Sequence, residues 1–238
     1  SGLAANKLQA NIVILPNDYA NDFLNFCRLN PKACPLVGQT KLNNPYFESL
    51  GDDIDIRFDV PLYNIYKNGD LVSTVRNIQD YWNDNFIAFA IGCSFSFEDA
   101  LLNAGLEIDH ITNNKVVPMY RTNIKNKKSG PFNSQMVVSM RIFNQKDINK
   151  VKQISGNFSF AHGNPIHIGD PIEIGINDIF GPDWGDSPKY KNDDEEYIFW
   201  ACGVTPQNAI IEARIPFCIT HTPGHMLITD ILEKSLHS

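Results

Sequence analysis

The stretch from Phe86 to Gly105, FIAFAIGCSFSFEDALLNAG, constrains the fold more than any other part of the chain. FIAFAIG presents no polar side chain to either face, and a strand of that kind is stable only in a sheet covered on both sides. Ser96 and Asp99 follow with the S-x-x-D spacing of a capping box, and Gly105 stands where a helix ends on a left-handed residue. A strand, a turn at Gly92-Cys93-Ser94 and a helix are therefore expected, with the turn at a strand's carboxyl end and a helix N-terminus.

The same pattern recurs. YIFWACGVTPQNAIIEA, from Tyr197, runs an apolar strand into Cys202-Gly203, with Thr205 as N-cap and Pro206 as the first helical residue. FCITHTPGHMLITDILEKSL, from Phe217, reads as a short strand, a cap at Thr222, Pro223 at the helix start and an amphipathic final helix. NIVILP, Asn17-Asp18 and a helical run closing at Asn30-Pro31 make a fourth unit. Four strand-to-helix units predict an α/β fold: a three-layer core with a mostly parallel or mixed sheet flanked by helices. Asn68-Gly69 predicts a hairpin turn, and Pro61 places the strand before it toward an edge. Residues 113–160 read as a small two-layer β-β-α insertion, so that 1–112 and 161–238 form the core domain. The acidic segment GPDWGDSPKYKNDDEE, from Gly181, reads as a solvated loop.

Composition narrows the partners. Twenty basic against 27 acidic residues give a formal charge of −7, without a Lys/Arg block to follow a phosphate backbone, so nucleic acid is excluded as an expected partner. No run approaches the roughly 18 apolar residues of a membrane span, and SGLAANKLQA lacks the charged-then-apolar pattern of a secretory signal, which predicts a cytoplasmic protein without membrane association. Five scattered cysteines inside apolar runs read as reduced, buried thiols with no CxxC pair for zinc or redox chemistry. No cofactor is expected, and a homo-oligomer is compatible with everything above.

In open α/β sheets, ligands settle beyond the carboxyl ends of strands, where helix N-termini offer free N–H groups. Two converging ends could hold a dicarboxylate, which places Ser94, Ser96 and Thr205 as candidate contacts for a small carboxylate or amino acid. Arg121 in MYRTNI is the candidate clamp for a second carboxylate, or else a structural ion pair. His162 and His167 in AHGNPIHIGDP, and His221 and His225 in THTPGH, lie in turns where a ring can titrate. His221 or His162 is the candidate proton carrier, with His167 and His225 as substrate contacts. No metal site is expected, because Pro223 and Gly224 interrupt the only H-x-x-x-H spacing. Cys93, beside a helix N-terminus that lowers a thiol pKa, is the candidate nucleophile or else a packed, inert thiol, and Cys202 reads as packed and inert.

Taken together, CPLVGQT, IGCSFSFEDALLNAG, MYRTNI, HGNPIHIGDP, WACGVTPQ and ITHTPGHMLITD resemble, in order and over nearly the whole chain, the family named "putative hydro-lyase", whose animal relatives include D-glutamate cyclase. The resemblance implies a carbon–oxygen lyase on a two-part α/β fold. It points to conversion of D-glutamate to 5-oxo-D-proline and water, with dehydration of a small hydroxy acid, or carboxylate binding without turnover, as the alternatives. Many members carry an arginine after the proline of DVPLY, where this chain has Leu62.

Overall fold

The computed structural model describes residues 7–232. In chain order its regular elements are β1 (Lys7–Pro16), α1 (Asn17–Leu29), β2 (Leu36–Gln39), β3 (Tyr63–Lys67), β4 (Asp70–Val75), β5 (Phe86–Gly92), α2 (Phe95–Asn103) and α3 (Asp109–Thr112). There follow β6 (Met119–Lys125), β7 (Gln135–Asn144), α4 (Ile148–Gly156), β8 (His167–Ile168), β9 (Glu195–Ala201), α5 (Val204–Ala213), β10 (Cys218–His221) and β11 (Leu227–Leu232).

Two antiparallel sheets organise the chain. The larger runs β2-β5-β1-β10-β3-β4, with β11 also paired to β1, and the smaller runs β6-β7-β9-β8. The expected parallel sheet is thus corrected: β1 pairs antiparallel with both β5 and β10, and β7 pairs antiparallel with β9. The reason lies in where the helices go. A parallel sheet needs each helix to return its chain to the same sheet, but α2 and α5 do not return.

Helix α2 leaves β5 of the large sheet and packs Phe97 and Leu101 against Phe143, Ile198 and Trp200 of the small one. Helix α5 leaves β9 of the small sheet and packs Ala209 and Ile210 with Val13, Leu15, Phe89 and Ile91 of the large one. Each sheet therefore receives the helix that the other emits. The double burial read from FIAFAIG is present, since Ile87, Phe89 and Ile91 face α1 and α5 while Phe86, Ala88 and Ala90 face a layer containing Phe47, Leu50, Ile54 and Val60. Among the described residues that second layer is irregular chain with one 3₁₀ turn at Gln79–Tyr81, so the α-helices that cover the large sheet lie on one of its faces.

Several local readings are present. Asn68 and Gly69 take φ of 51° and 85° in the turn between β3 and β4, and α1 closes on Asn30. Gly105, at φ 77°, ends α2 while the Leu106 N–H reaches back to the Leu101 carbonyl. The β-β-α order of 113–160 is β6, β7 and α4, and their sheet is extended by β9 and β8 from further along the chain. The final helix is a correction. Thr222-Pro223-Gly224-His225 is a β-turn, with Gly224 at φ 84° and the His225 N–H bonded to the Thr222 carbonyl at 2.9 Å. Proline then glycine at the turn's centre suits type II geometry, and the chain continues as β11. The last residues of the expected helix lie outside the described ones.

Candidate functional site

The two strand-to-helix junctions meet. Cys93, Ser94 and Phe95 at the start of α2, and Cys202, Gly203 and Val204 at the start of α5, line one cavity of about 330 Å³. His221 at the end of β10 and the turn at Pro223-Gly224 close another side. The opposite wall is Val116, Val117 and Met119 with Trp184, Gly185 and Asp186. Asn11 of β1 lies between the junctions, its Nδ2 donating to the Gly92 carbonyl at 3.3 Å. Gly92 and Gly203 permit this closeness. A Cβ on Gly92 would collide with the Phe160 carbonyl oxygen, and one on Gly203 with the Asn11 amide.

Neither junction is capped as the sequence suggests. Ser94 occupies the cap position of α2 without a side-chain cap bond, and Ser96 lies inside the first turn, its buried Oγ without a partner. Thr205 is likewise inside the first turn of α5. It accepts from the Val137 N–H at 3.0 Å and donates to the Val137 carbonyl at 3.2 Å, so it ties α5 to β7. The first-turn N–H groups are consequently not covered by side-chain caps, which leaves both helix ends receptive to negative charge.

Ser94 is backed by charge. Its Oγ accepts from Arg141 Nη2 at 3.2 Å, so its own proton is free to point elsewhere. Arg141 is buried, donates through Nε to Glu98 Oε1 at 2.9 Å, and lies between the rings of Phe97 and Trp200 at 5.0 and 5.3 Å. Burial pushes the Glu98 carboxyl up, but Arg141 and then His110, 3.0 Å away, more than offset this and hold it below its ordinary range. An ionised pair thus stands directly behind the α2 junction.

His221 is 2% exposed, and burial, aided by nearby His225, lowers its pKa to about 4. Its Nδ1 accepts from the Ile12 N–H at 3.1 Å. The ring is therefore neutral near pH 7 with its proton on Nε2, which makes it a hydrogen-bond donor rather than a ready base. Burial governs the two thiols as well. Burial pushes Cys93 up to about 12, outweighing the Phe95 N–H that pulls the other way, and pushes Cys202 up to about 11 against the Val204 and Gly203 N–H groups. Of the two readings of Cys93, nucleophile and packed thiol, the burial favours the second for the resting protein.

The remaining candidates do not line the cavity. Arg121 is half exposed, pairs with Asp183 at 2.8 Å and stacks on Trp184 at 4.5 Å, so its role in this structure is to hold the loop that forms the opposite wall. His162 is buried, donates from Nδ1 to the Lys32 carbonyl 2.7 Å away, and has its pKa lowered to about 4 by burial. His167 contacts the Asp170 carbonyl on the small sheet's outer strand, and exposed His225 contacts the Pro223 carbonyl. Among the described residues no group of three or more His, Cys, Asp or Glu side chains could hold a metal ion, and no helix is long and apolar enough to cross a membrane.

Sequence reasoning missed Asn11, Trp184, Asp186 and the part played by Cys202. The segment read as a solvated loop is pinned to the strand edge: the Met119 N–H donates to the Trp184 carbonyl at 2.9 Å, and the Val116 N–H to Asp186 Oδ2 at 2.7 Å. A tryptophan followed by glycine inside an acidic run was the available signal. Gly185 sits at φ 81°, where a side chain would strike the Val117 carbonyl.

Comparison with known proteins gives matches along the chain. The sequence pattern of the D-glutamate cyclase family matches residues 87–230. A protein of Burkholderia multivorans named "Putative hydro-lyase" is 52% identical over 228 residues, covering 96% of this chain and 87% of its own. A protein of Dinoroseobacter shibae with the same name is 51% identical over 235 residues, covering 99% of this chain and 78% of its own. Among solved structures, a nitrogen repressor-like protein of Methanococcus jannaschii matches with a TM-score of 0.42 and 11% identity, over 89% of this chain and 80% of that one.

Proposed function

The chain belongs to the D-glutamate cyclase family, and from that premise we propose that it converts D-glutamate to 5-oxo-D-proline and water in the cavity between α2 and α5. The observation that carries this reading is the opening of two uncapped helix N-termini onto one cavity beside a neutral histidine. Each helix end favours an anion by about 0.3–1 kcal/mol when exposed and up to about 2 when partly buried. A dicarboxylate gains from both.

Cyclisation joins the α-amine to the γ-carboxyl carbon and expels one carboxyl oxygen as water. The ammonium must first lose a proton, and the γ-carboxyl must be made electrophilic. Asp186 is the carboxylate on the cavity wall, so it pairs with the ammonium and accepts that proton. The N–H groups at the start of α5 and the Ser94 hydroxyl hold the γ-carboxyl oxygens. His221 gives a hydrogen bond from Nε2 to the oxygen that departs. The two protons that the substrate nitrogen loses, the first carried by Asp186, end on that oxygen, so it leaves as water and both side chains finish as they began. Arg141 does not touch substrate. It withdraws electron density from the Ser94 oxygen, which strengthens that hydroxyl as a donor.

The test is a proton NMR assay of the purified chain with D-glutamate, L-glutamate and a panel of small hydroxy acids, with and without chelator. The expected result is the lactam from D-glutamate. An alkene from a hydroxy acid would replace this reading with dehydration. Thermal stabilisation by dicarboxylates without any product would replace it with a binding function.

A further inference from the structure

Cys93 and Cys202 occupy equivalent places. Each follows the last residue of an apolar strand, each is separated from the following helix by one residue, and each lines the cavity. Both side chains are more than nine-tenths buried, at 7% exposure. Both are free thiols. Each sulfur faces the N–H groups of its own helix start, Phe95 for Cys93 and Gly203 with Val204 for Cys202. Nothing in the cyclisation proposed above uses either thiol. A cavity with one thiol at each of two helix junctions has the parts for moving a proton on and off the two faces of a tetrahedral carbon.

We propose that Cys93 and Cys202 are an acid–base pair that inverts the α-carbon of a small α-amino dicarboxylate bound between them, so that the same cavity interconverts the enantiomers of its substrate. One sulfur, having lost its proton to solvent before substrate enters, takes the α-hydrogen as a proton. The electron pair left on carbon delocalises into the α-carboxylate, whose oxygens lie at the helix N–H groups. The thiol at the other junction delivers its proton to the opposite face and becomes the thiolate. One C–H bond breaks and one forms, one S–H bond forms and one breaks, and nothing is oxidised or reduced. A thiolate drawn from a dry pocket is a strong base, and it needs to be, because an α-hydrogen beside a carboxylate is only weakly acidic. The inference rests on the reading that the cavity takes an amino dicarboxylate, and it does not depend on cyclisation.

The full chain is incubated in D₂O with D-glutamate, L-glutamate, D-aspartate and L-aspartate, and the α-hydrogen signal and enantiomer ratio are followed together. Wild-type protein is expected to produce the opposite enantiomer carrying deuterium at the α-carbon, while early unreacted substrate keeps its hydrogen. This signature of two separate bases needs no variant. Cys93→Ser and Cys202→Ser should each slow inversion by about 100-fold or more. Each should still wash deuterium into one enantiomer alone, a different one in the two variants, which a purely structural role would not produce. Retention of the α-hydrogen by all four substrates overturns the pair, as does unchanged inversion in both variants. Lactam formation without α-exchange leaves the cyclase reading standing and removes this one, and α-exchange without lactam does the reverse.

Discussion

His162 and His221 show how burial sets a residue's chemistry. Each is buried, and each is held neutral with a pKa near 4 rather than the usual 6.5. Between those values the unfolded chain binds protons that the folded one refuses, so stability is complete above about pH 6.5 and falls as pH drops toward 4. At about 1.4 kcal/mol for each pH unit between the two values, each ring accounts for up to roughly 3 kcal/mol of that loss. Urea midpoints measured from pH 7.5 to 4.5 should decline steadily below 6.5, and His221→Gln should flatten the curve. A constant midpoint would contradict the burial of both rings. Glycines give a second prediction at this scale. Gly92→Ala drives a Cβ into backbone at Phe160 and should cost about 1–3 kcal/mol in a denaturation experiment. Gly203→Ala meets only the Asn11 side chain, which can turn away, so stability should fall less while dicarboxylate binding, read by thermal shift, is lost.

Among the elements, α2 and β7 are joined by the buried Glu98–Arg141 pair, with Arg141 held between Phe97 and Trp200. Removing one partner strands the other's charge, so Glu98→Gln or Arg141→Met should each lose about 3–5 kcal/mol by urea denaturation. The double variant Glu98→Leu with Arg141→Met should regain most of that stability. It should nevertheless show reduced turnover, because Ser94 no longer receives the guanidinium N–H. Equal stability of the single and double variants would show that the pair contributes no mutual compensation. This pair also marks the limit of what the sequence reveals. The apolar run at 86–92, the helix stop at Gly105 and the turn at Asn68-Gly69 are local features, and local physics suffices to read them. Glu98 and Arg141 are joined only through tertiary packing, and no spacing announces them. The junction residues Cys93, Ser94 and His221 were readable as polar groups at strand ends. Arg121 was readable as a carboxylate clamp or as a structural ion pair, and choosing between the two required knowing that Asp183 would come to meet it. Thr222-Pro223-Gly224 satisfies both a helix start and a β-turn, and the partner strand β1, remote in sequence, decides between them.

The exchange of helices between sheets determines how the whole molecule behaves. If each sheet kept its own helix, the chain could come apart as two units, each with its own core. Here the core on one face of the large sheet contains Ala209 and Ile210 from the helix that follows β9, and the core of the small sheet contains Phe97 and Leu101 from the helix that follows β5. Unfolding either sheet therefore uncovers apolar surface on the other, at about 25 cal/mol per Å². The cavity lies at the two crossing points, so it forms only when both sheets are in place. Tryptophans report on each part separately: Trp82 packs beside Phe86 with the large sheet, 5.9 Å between rings, and Trp200 lies wholly buried in the small one. Two variants, one keeping Trp82 alone and one keeping Trp200 alone, each with phenylalanine at the other two positions, should lose fluorescence at the same urea concentration once corrected for their own stability by circular dichroism. They should also give the same slope, as one cooperative unit requires. A Trp200 transition preceding the Trp82 transition would mean that the small sheet melts first. The cavity between α2 and α5 would then open before the rest of the molecule, and a dicarboxylate bound there would raise the earlier midpoint selectively.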